Sequence, residues 1–414
     1  MTEGSGRALR PLDGLLVADL SRVVAGPLVG MILGDLGADV IKVERPGQGD
    51  DTRSWGPPWL PASDDHPPES TYSLAVNRNK RSMTLAFDDP GDQSLARELI
   101  NRSDVVIENF RPGTMEKFGL GHESGRRAHP GLIWCTIAGF GETAAARLLP
   151  GYDLLAQAAS GLMDITGERD GRPTKVGVAV VDELSALYAT IGVLAALEHR
   201  RRTGEGQRIS VSLFDTALAS LLNQGASHLL AGETPHRAGN DHPSISPYST
   251  YSAADRDLVI ACGTDTQFIK LCGVLDLDLP ENERFATNAN RVAHRVELDG
   301  ILDAALAGAS ATEWAERLGA AGVPAGVVNT VAEAYEMAER LGLEPITLTR
   351  RDDGSRLPTA RSPIRFDGTP INRATAPPRL GEDDAELRDW LHGDRAPTGM
   401  TDSKRPDEPL PSER

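Results

Sequence analysis

The sequence predicts an α/β fold, with a Rossmann-like parallel sheet in a large domain and a smaller α/β domain after it. Three observations carry this. Short apolar runs of strand length alternate with helix-period segments between residues 15 and 230. The first strand, helix and strand fit within residues 15 to 44, the signature of a right-handed parallel crossover. Near residue 232 the apolar rhythm stops, and a Gly-, Pro- and Ser-rich stretch opens a second region.

LLVADL (15–20) and ADVIKVE (38–44) read as buried strands flanking the helix GPLVGMILGDLGA (26–38). Gly26, Gly30 and Gly34 recur every four residues, which makes a smooth helix face for close packing rather than a phosphate loop. No GxGxxG follows the first strand, so a nicotinamide enzyme is disfavoured even though Glu44 ends the second strand. Residues 46–70 are rich in Pro, Gly, Ser and Asp and read as a long ordered loop or lid without regular elements. SMTLAF (82–87), DVVIEN (104–109) and LIWCTI (132–137) continue the strands, with the helix PGDQSLARELINRS between the first two. GYDLLAQAASGLMD (151–164) reads as a helix, QRISVSL (207–213) as a strand and FDTALASLLNQGASHLL as one further helix.

The expected organisation is a large domain at 1–231, a small domain with its linkers at 232–340, and a return to the large domain at 341–394 through ITLTR and SPIRF. The small domain holds DLVIACG, DTQFIKLCGVL, RVAHRVELDGILDAAL and PAGVV (324–328). Residues 395–414 are Pro-rich and charged without apolar anchors, the composition of a disordered tail.

Composition narrows the function. A net charge of −17 repels polyanions, so nucleic acid is excluded as a partner. No apolar run reaches the ~18 residues of a membrane span, and the N-terminus lacks a signal core, so a cytoplasmic protein away from the membrane is expected. Cys135, Cys262 and Cys272 form no CxxC pair and read as reduced packing residues. The nine histidines make no HExxH pair, so no metal site is expected, and GxSxG, Walker and kinase motifs are absent. RPG (45–47), RNKR (78–81) and FRPG (110–113) are local basic clusters suited to a phosphate-bearing small molecule.

The stretch VVDELSALYATIGVLAALEHRRR places Asp182 just before a helix whose apolar stripe is Leu184, Leu187, Tyr188, Ile191, Leu194 and Ala195. Two readings stand side by side. Asp182 caps the helix, or it is a nucleophile kept ionised by the first-turn amides and the positive helix end. Arg45, Asn109, Phe110 and Arg111 each follow a strand, where ligands of open parallel sheets lie.

These motifs together resemble the family III coenzyme A transferases, a family that also includes the α-methylacyl-CoA racemases. The matching segments are PLDGLLVADLSRVVAGPL, LGADVIKVERPGQGDDTR, NKRSMTL, DVVIENFRPG, GYDLLAQAASGLM, IGVLAALEHRRRTGEGQRISVSLFD, ACGTDTQFIKLC, FATNANRVAH and GVPAGVVNTVAEA, collinear over residues 11–370. The resemblance implies that Asp182 attacks an acyl-CoA thioester and passes CoA to a second acid through an anhydride and an aspartyl-CoA thioester. CoA is then a substrate, with no tightly bound cofactor. It also implies that Val24, Ala25, Arg45, Leu85, Asn109, Phe110, Arg111 and Lys117 contact CoA, with core packing the alternative for Val24, Ala25 and Leu85. An interlocked homodimer is implied too.

Tyr152 separates the branches. Racemases resemble GHD at this place, with a His as one of two bases, whereas this chain has GYD, and a phenol with a pKa near ~10 is a poor base at neutral pH. Tyr152 then lines the acyl site of a transferase, with helix packing as its alternative. A racemase or epimerase remains the first rival function and a CoA-binding regulator the second. The glycine-rich loop of oxalate-using relatives is replaced by RAGNDHPSISPY, and GETAAARLLPGYD lacks a TGP turn. The substrates expected are a short dicarboxylate pair such as succinyl-CoA and a C4 or C5 acid. Arg147 is either a contact for the far carboxylate or an exposed surface residue.

Overall fold

A computed structural model describes residues 10–62, 66–369 and 374–393. The tail expected at 395–414 lies outside the described residues. The chain forms two compact units, one from residues up to 160, 177–225 and 345 onward, the other from 161–176 and 226–344. Residues 161–176 and 226–231 thus join the second unit, although they lie within the stretch 1–231 expected to be one domain.

The first unit is built on a six-stranded parallel sheet. Across the sheet the strands run Lys80–Thr84, Asp39–Glu44, Leu16–Asp19, Val105–Glu108, Ile133–Ala138 and Arg208–Ser212. The order reverses beside the first strand, the switch point at which an open parallel sheet leaves a crevice beyond its carboxyl ends. The α/β class and Rossmann-like sheet expected from the sequence are therefore present. Leu16, Ala18, Leu20, Ile41, Met83, Val106 and Trp134 form the centre of the core, joined by Leu387, Trp390 and Leu391 of the late helix Asp384–Leu391.

The crossover helix is Ala25–Asp35, and its glycines are needed for contact. A Cβ on Gly26 would stand 2.2 Å from the Ser21 side chain, and one on Gly30 would stand 2.9 Å from the Asp19 carboxylate.

Several elements differ from expectation. The edge strand begins at Lys80, two residues early, because the Lys80 ammonium is buried against Asp19 at 2.8 Å and the polar residue can enter the sheet. Leu85 consequently follows that strand instead of lying in it. The helix foreseen at 151–164 is two pieces, Asp153–Ala159 and Leu162–Ile165, separated by Gly161 at φ 86°. The single helix foreseen after residue 213 breaks into Leu213–Ala219 and Leu222–Ala231, with Leu222 at φ 44°. The loop 46–70 contains a helical turn, Asp51–Ser54, and a short ladder of Trp59–Leu60 with Glu69–Ser70. The segment ITLTR forms the strand Ile346–Arg350, which pairs antiparallel with Arg356–Ala360.

The long helix is Val180–Thr203; it has the length and apolar composition of a membrane span, a test that the core helix of a soluble protein passes as well. Its buried face is Val181, Asp182, Ser185, Ala186, Ala189, Thr190, Val193 and Ala196. Small side chains let this face lie close to the helix Ala25–Asp35 and the sheet. The apolar stripe read from the sequence is turned outward in the single chain: Leu187, Tyr188 and Leu194 are exposed, and Ile191 is 62% exposed.

The second unit has a three-stranded antiparallel sheet, Ala325–Val327, Asp257–Ala261 and Tyr248–Ser252. Phe268, Leu271, Leu298, Leu302, Trp314 and Leu318 from its helices pack in its core.

Candidate active site

The turn after the first strand is held from both sides. Asn109 donates through Nδ2 to the Arg22 carbonyl at 2.7 Å and accepts the Arg22 N–H at 2.8 Å. Lys42, wholly buried, donates to the Ser21 carbonyl at 2.6 Å and pairs with Asp50 at 3.2 Å. The Arg22 guanidinium lies 4.8 Å from the Phe110 ring centre. Val24, Ala25, Asn109 and Phe110 thus come together at the carboxyl ends of two neighbouring strands.

Val24, Ala25 and Leu85 are buried, so their side chains pack into the unit and what the turn offers outward is backbone. Arg45 is engaged by an ion pair with Asp51 and a 3.3 Å hydrogen bond to the Gly49 carbonyl. Lys117 ends the short helix Thr114–Lys117.

Arg111 and Arg147 form the wall shared by two adjoining cavities. One, of about 170 Å³, is lined by Asn109, Phe110, Arg111, Arg147 and Tyr152 among others. The other, of about 230 Å³, adds Glu108, Glu142 and Arg208, and Lys117 lines neither. Glu108 closes the sheet strand Val105–Glu108; burial raises its carboxyl above the ordinary range, while Thr136 and the Phe110 N–H, at 3.0 Å, oppose the shift. Arg147 is exposed, as one sequence reading had it, and it also lines both cavities and donates to the Pro112 carbonyl at 3.1 Å.

Tyr152 is placed by two glycines. A Cβ on Gly139 would stand 2.3 Å from the Gly151 Cα, so only this pair lets the segment before Tyr152 cross the end of the strand Ile133–Ala138. Tyr152 is 59% exposed in the single chain.

Asp182 does not cap its helix. The helix starts at Val180 with Ala179 as N-cap and no side-chain cap of that residue's own, so Asp182 is the third helical residue. The capping carboxylate is Asp153, whose Oδ1 accepts the N–H of Val181 at 2.8 Å and of Asp182 at 3.2 Å. Its Oδ2 accepts from Gln157 Nε2 at 2.6 Å. The expectation that the helix end keeps Asp182 ionised is also corrected: burial first, then the neighbouring Asp153 charge, pushes its carboxyl up to about 7. The first-turn amides serve Asp153 instead.

Sequence reasoning missed Asp153 and Tyr72. Burial and then the charges of Asp182 and Asp153 raise the Tyr72 phenol, which places it within their field, and Trp55 meets its ring edge-on at 5.2 Å. Tyr72 sits in an aperiodic stretch with no signal of its own. Asp153 was in plain view as the last letter of GYD. Among the described residues no cluster of three or more His, Cys, Asp or Glu side chains is arranged to hold a metal.

Comparison with known proteins gives the family. The profile of CoA-transferase family III matches residues 12–384. Succinate–glutarate CoA-transferase of Agrobacterium fabrum is 41% identical over 384 residues, covering 91% of this chain and 94% of that protein. Succinyl-CoA:glutarate CoA-transferase of Mus musculus is 38% identical over 376 residues, covering 91% of this chain and 85% of the relative. The crystal structure of a CAIB/BAIF family protein from Brucella suis superposes with a TM-score of 0.84 at 42% identity, over 92% of this chain and 99% of that one.

Proposed function

The chain belongs to CoA-transferase family III and is a CoA-transferase, and from that premise we propose that it moves CoA between short dicarboxylic acids with Asp182 as the nucleophile. One observation carries the assignment. Asp182 is 9% exposed, yet among the described residues no group donates a hydrogen bond to its carboxylate. Buried carboxylates elsewhere in the unit, Asp19, Glu44 and Asp50, are each held by donors. Its oxygens are not among the fully enclosed atoms without a partner, so this mostly buried carboxylate is held by no protein donor yet stays open to an incoming carbonyl.

The proposed steps conserve the acyl bond. A carboxylate oxygen of Asp182 attacks the thioester carbonyl, the C–S bond breaks, and CoA leaves as thiolate from a mixed anhydride. The thiolate attacks the Asp182 carbonyl carbon, releasing the donor acid as carboxylate and leaving an aspartyl-CoA thioester. The acceptor carboxylate attacks that thioester, expelling the thiolate and forming a second anhydride. The thiolate then takes the acceptor acyl group and Asp182 is regenerated. Desolvation favours this chemistry, because a carboxylate with few donors is a better nucleophile than one in water.

CoA is proposed to lie beyond the carboxyl ends of the strands. The backbone at Val24, Ala25 and Leu85 faces it, with Asn109 and Phe110 around the adenine, and Arg45, Arg111 and Lys117 meet its phosphates. Arg45 would exchange Asp51 for a phosphate. Tyr152 shapes the acyl site, and Arg147 is the proposed contact for the far carboxylate of a diacid. Succinyl-CoA and glutarate are the proposed pair, in line with the names of the two relatives.

A second copy of the chain is proposed to cover the outward apolar face at Leu187, Tyr188 and Ile191, completing an interlocked homodimer. The free, buried Cys135, Cys262 and Cys272 fit the reducing cytoplasm as its setting.

The test is incubation with a panel of acyl-CoAs and free acids in deuterated water, read by mass spectrometry. New acyl-CoA species are expected. Deuterium at the α-carbon without exchange of acyl groups would instead mark a racemase, and tight binding with neither change a regulator.

A further inference from the structure

We infer that Asp153 is a positioning residue for Asp182: it clamps the first turn of the Asp182 helix through backbone N–H groups and sets a second carboxylate beside the reacting one. The inference rests on the reading of Asp182 as nucleophile. The helix Val180–Thr203 has no side-chain cap from Ala179, and its first amides are met by a residue 28 positions away in sequence. A clamp from another element fixes where the helix begins relative to the helix Asp153–Ala159. Gln157, wholly buried, holds the other Asp153 oxygen and so sets the orientation of the carboxylate. Tyr152 immediately precedes Asp153, so the acyl-site tyrosine and the nucleophile are referred to one short segment.

The second effect is electrostatic. Two carboxylates close together in a desolvated place cannot both ionise freely. Other groups do not supply this field. Of the elements packed on the helix, Ala25–Asp35 carries Asp35, tied to Arg78; Leu213–Ala219 carries Asp215, hydrogen-bonded to Ser212; Arg208–Ser212 carries Arg208, paired with Glu142; and Ile133–Ala138 carries only the buried Cys135 thiol. Tyr72 faces the pair as a phenol, and Glu183 on the same helix is exposed. Asp153 is the carboxylate whose charge raises Asp182.

Three variants of the full chain test this: Asp153→Asn, Asp153→Ala and Asp182→Asn, each assayed for kcat and for acyl-CoA KM from pH 5 to 9, with folding checked by circular dichroism. Asp153→Asn keeps an acceptor oxygen but removes the charge, so the acid limb of kcat is expected to move down by about one pH unit while the plateau is largely kept. Asp153→Ala also removes the clamp, and kcat on the plateau is expected to fall about tenfold or more with acyl-CoA KM changed less than about twofold. An inert Asp182→Asn together with an unmoved limb in Asp153→Asn overturns this inference and leaves the nucleophile standing. Full turnover by Asp182→Asn overturns the nucleophile, and this inference with it. If Asp153→Ala does not fold, the limb of Asp153→Asn decides alone.

Discussion

Asp50 holds Val23 through its backbone: the Val23 N–H lies 3.2 and 3.1 Å from the two carboxylate oxygens, and Val23 stands at φ 69°. A β-branched residue in the left-handed region is strained by ~1–3 kcal/mol and persists only where its surroundings impose it. Asp50 also accepts from Thr52 and pairs with Lys42, so one buried carboxylate fixes both the turn beside the proposed CoA site and the start of the loop after it.

Asp50→Ala is therefore expected to raise acyl-CoA KM by about tenfold and to destabilise the fold by about 3 kcal/mol, because Lys42 loses a partner in the interior. Steady-state kinetics at saturating acid and urea denaturation check the two effects separately.

Glu44 sets an acid limit on stability. Burial disfavours its charge, but Arg53, bonded at 2.7 Å to both oxygens, and Lys42 outweigh that and hold its carboxyl down at about 2. The unfolded chain thus binds the proton first, at the ordinary value of 4.5. The stabilisation, on the order of 3 kcal/mol, is present above about pH 4.5 and lost as pH falls toward about 2. Glu44→Gln should be less stable at neutral pH and show a flatter decline through that window, as urea midpoints against pH would report.

Ile191 probes the proposed assembly. It is 62% exposed beside Leu187 and Tyr188 on a helix whose opposite face is buried. Ile191→Asp should shift the protein toward monomer in analytical ultracentrifugation if a second copy covers this face. An unchanged sedimentation coefficient would show that the assembly, or its absence, does not involve it.

The parallel sheet was legible because its strands are short apolar runs such as VVIE and IWCTIA, and because a crossover fits residues 15 to 44. Where the reading slipped, a tertiary interaction had overridden a local pattern. Lys80 enters a strand only because Asp19 neutralises it inside the sheet. The stripe from Leu187 to Leu194 has the right period for a core, but the small residues on the other face allow the closer approach and take the interior. At the site, Asp182 was visible as an acid at a helix start. Which carboxylate does the capping was not, because the bond from Asp153 joins residues 28 apart and leaves no periodic trace.

The most direct test of the account is intact-protein and peptide mass spectrometry on enzyme quenched during turnover of succinyl-CoA with glutarate. We expect a covalent CoA adduct on the peptide carrying Asp182, discharged by added glutarate and absent from Asp182→Asn, which should be inactive. CoA exchange at the wild-type rate by Asp182→Asn, or an adduct mapped to another residue, would contradict it.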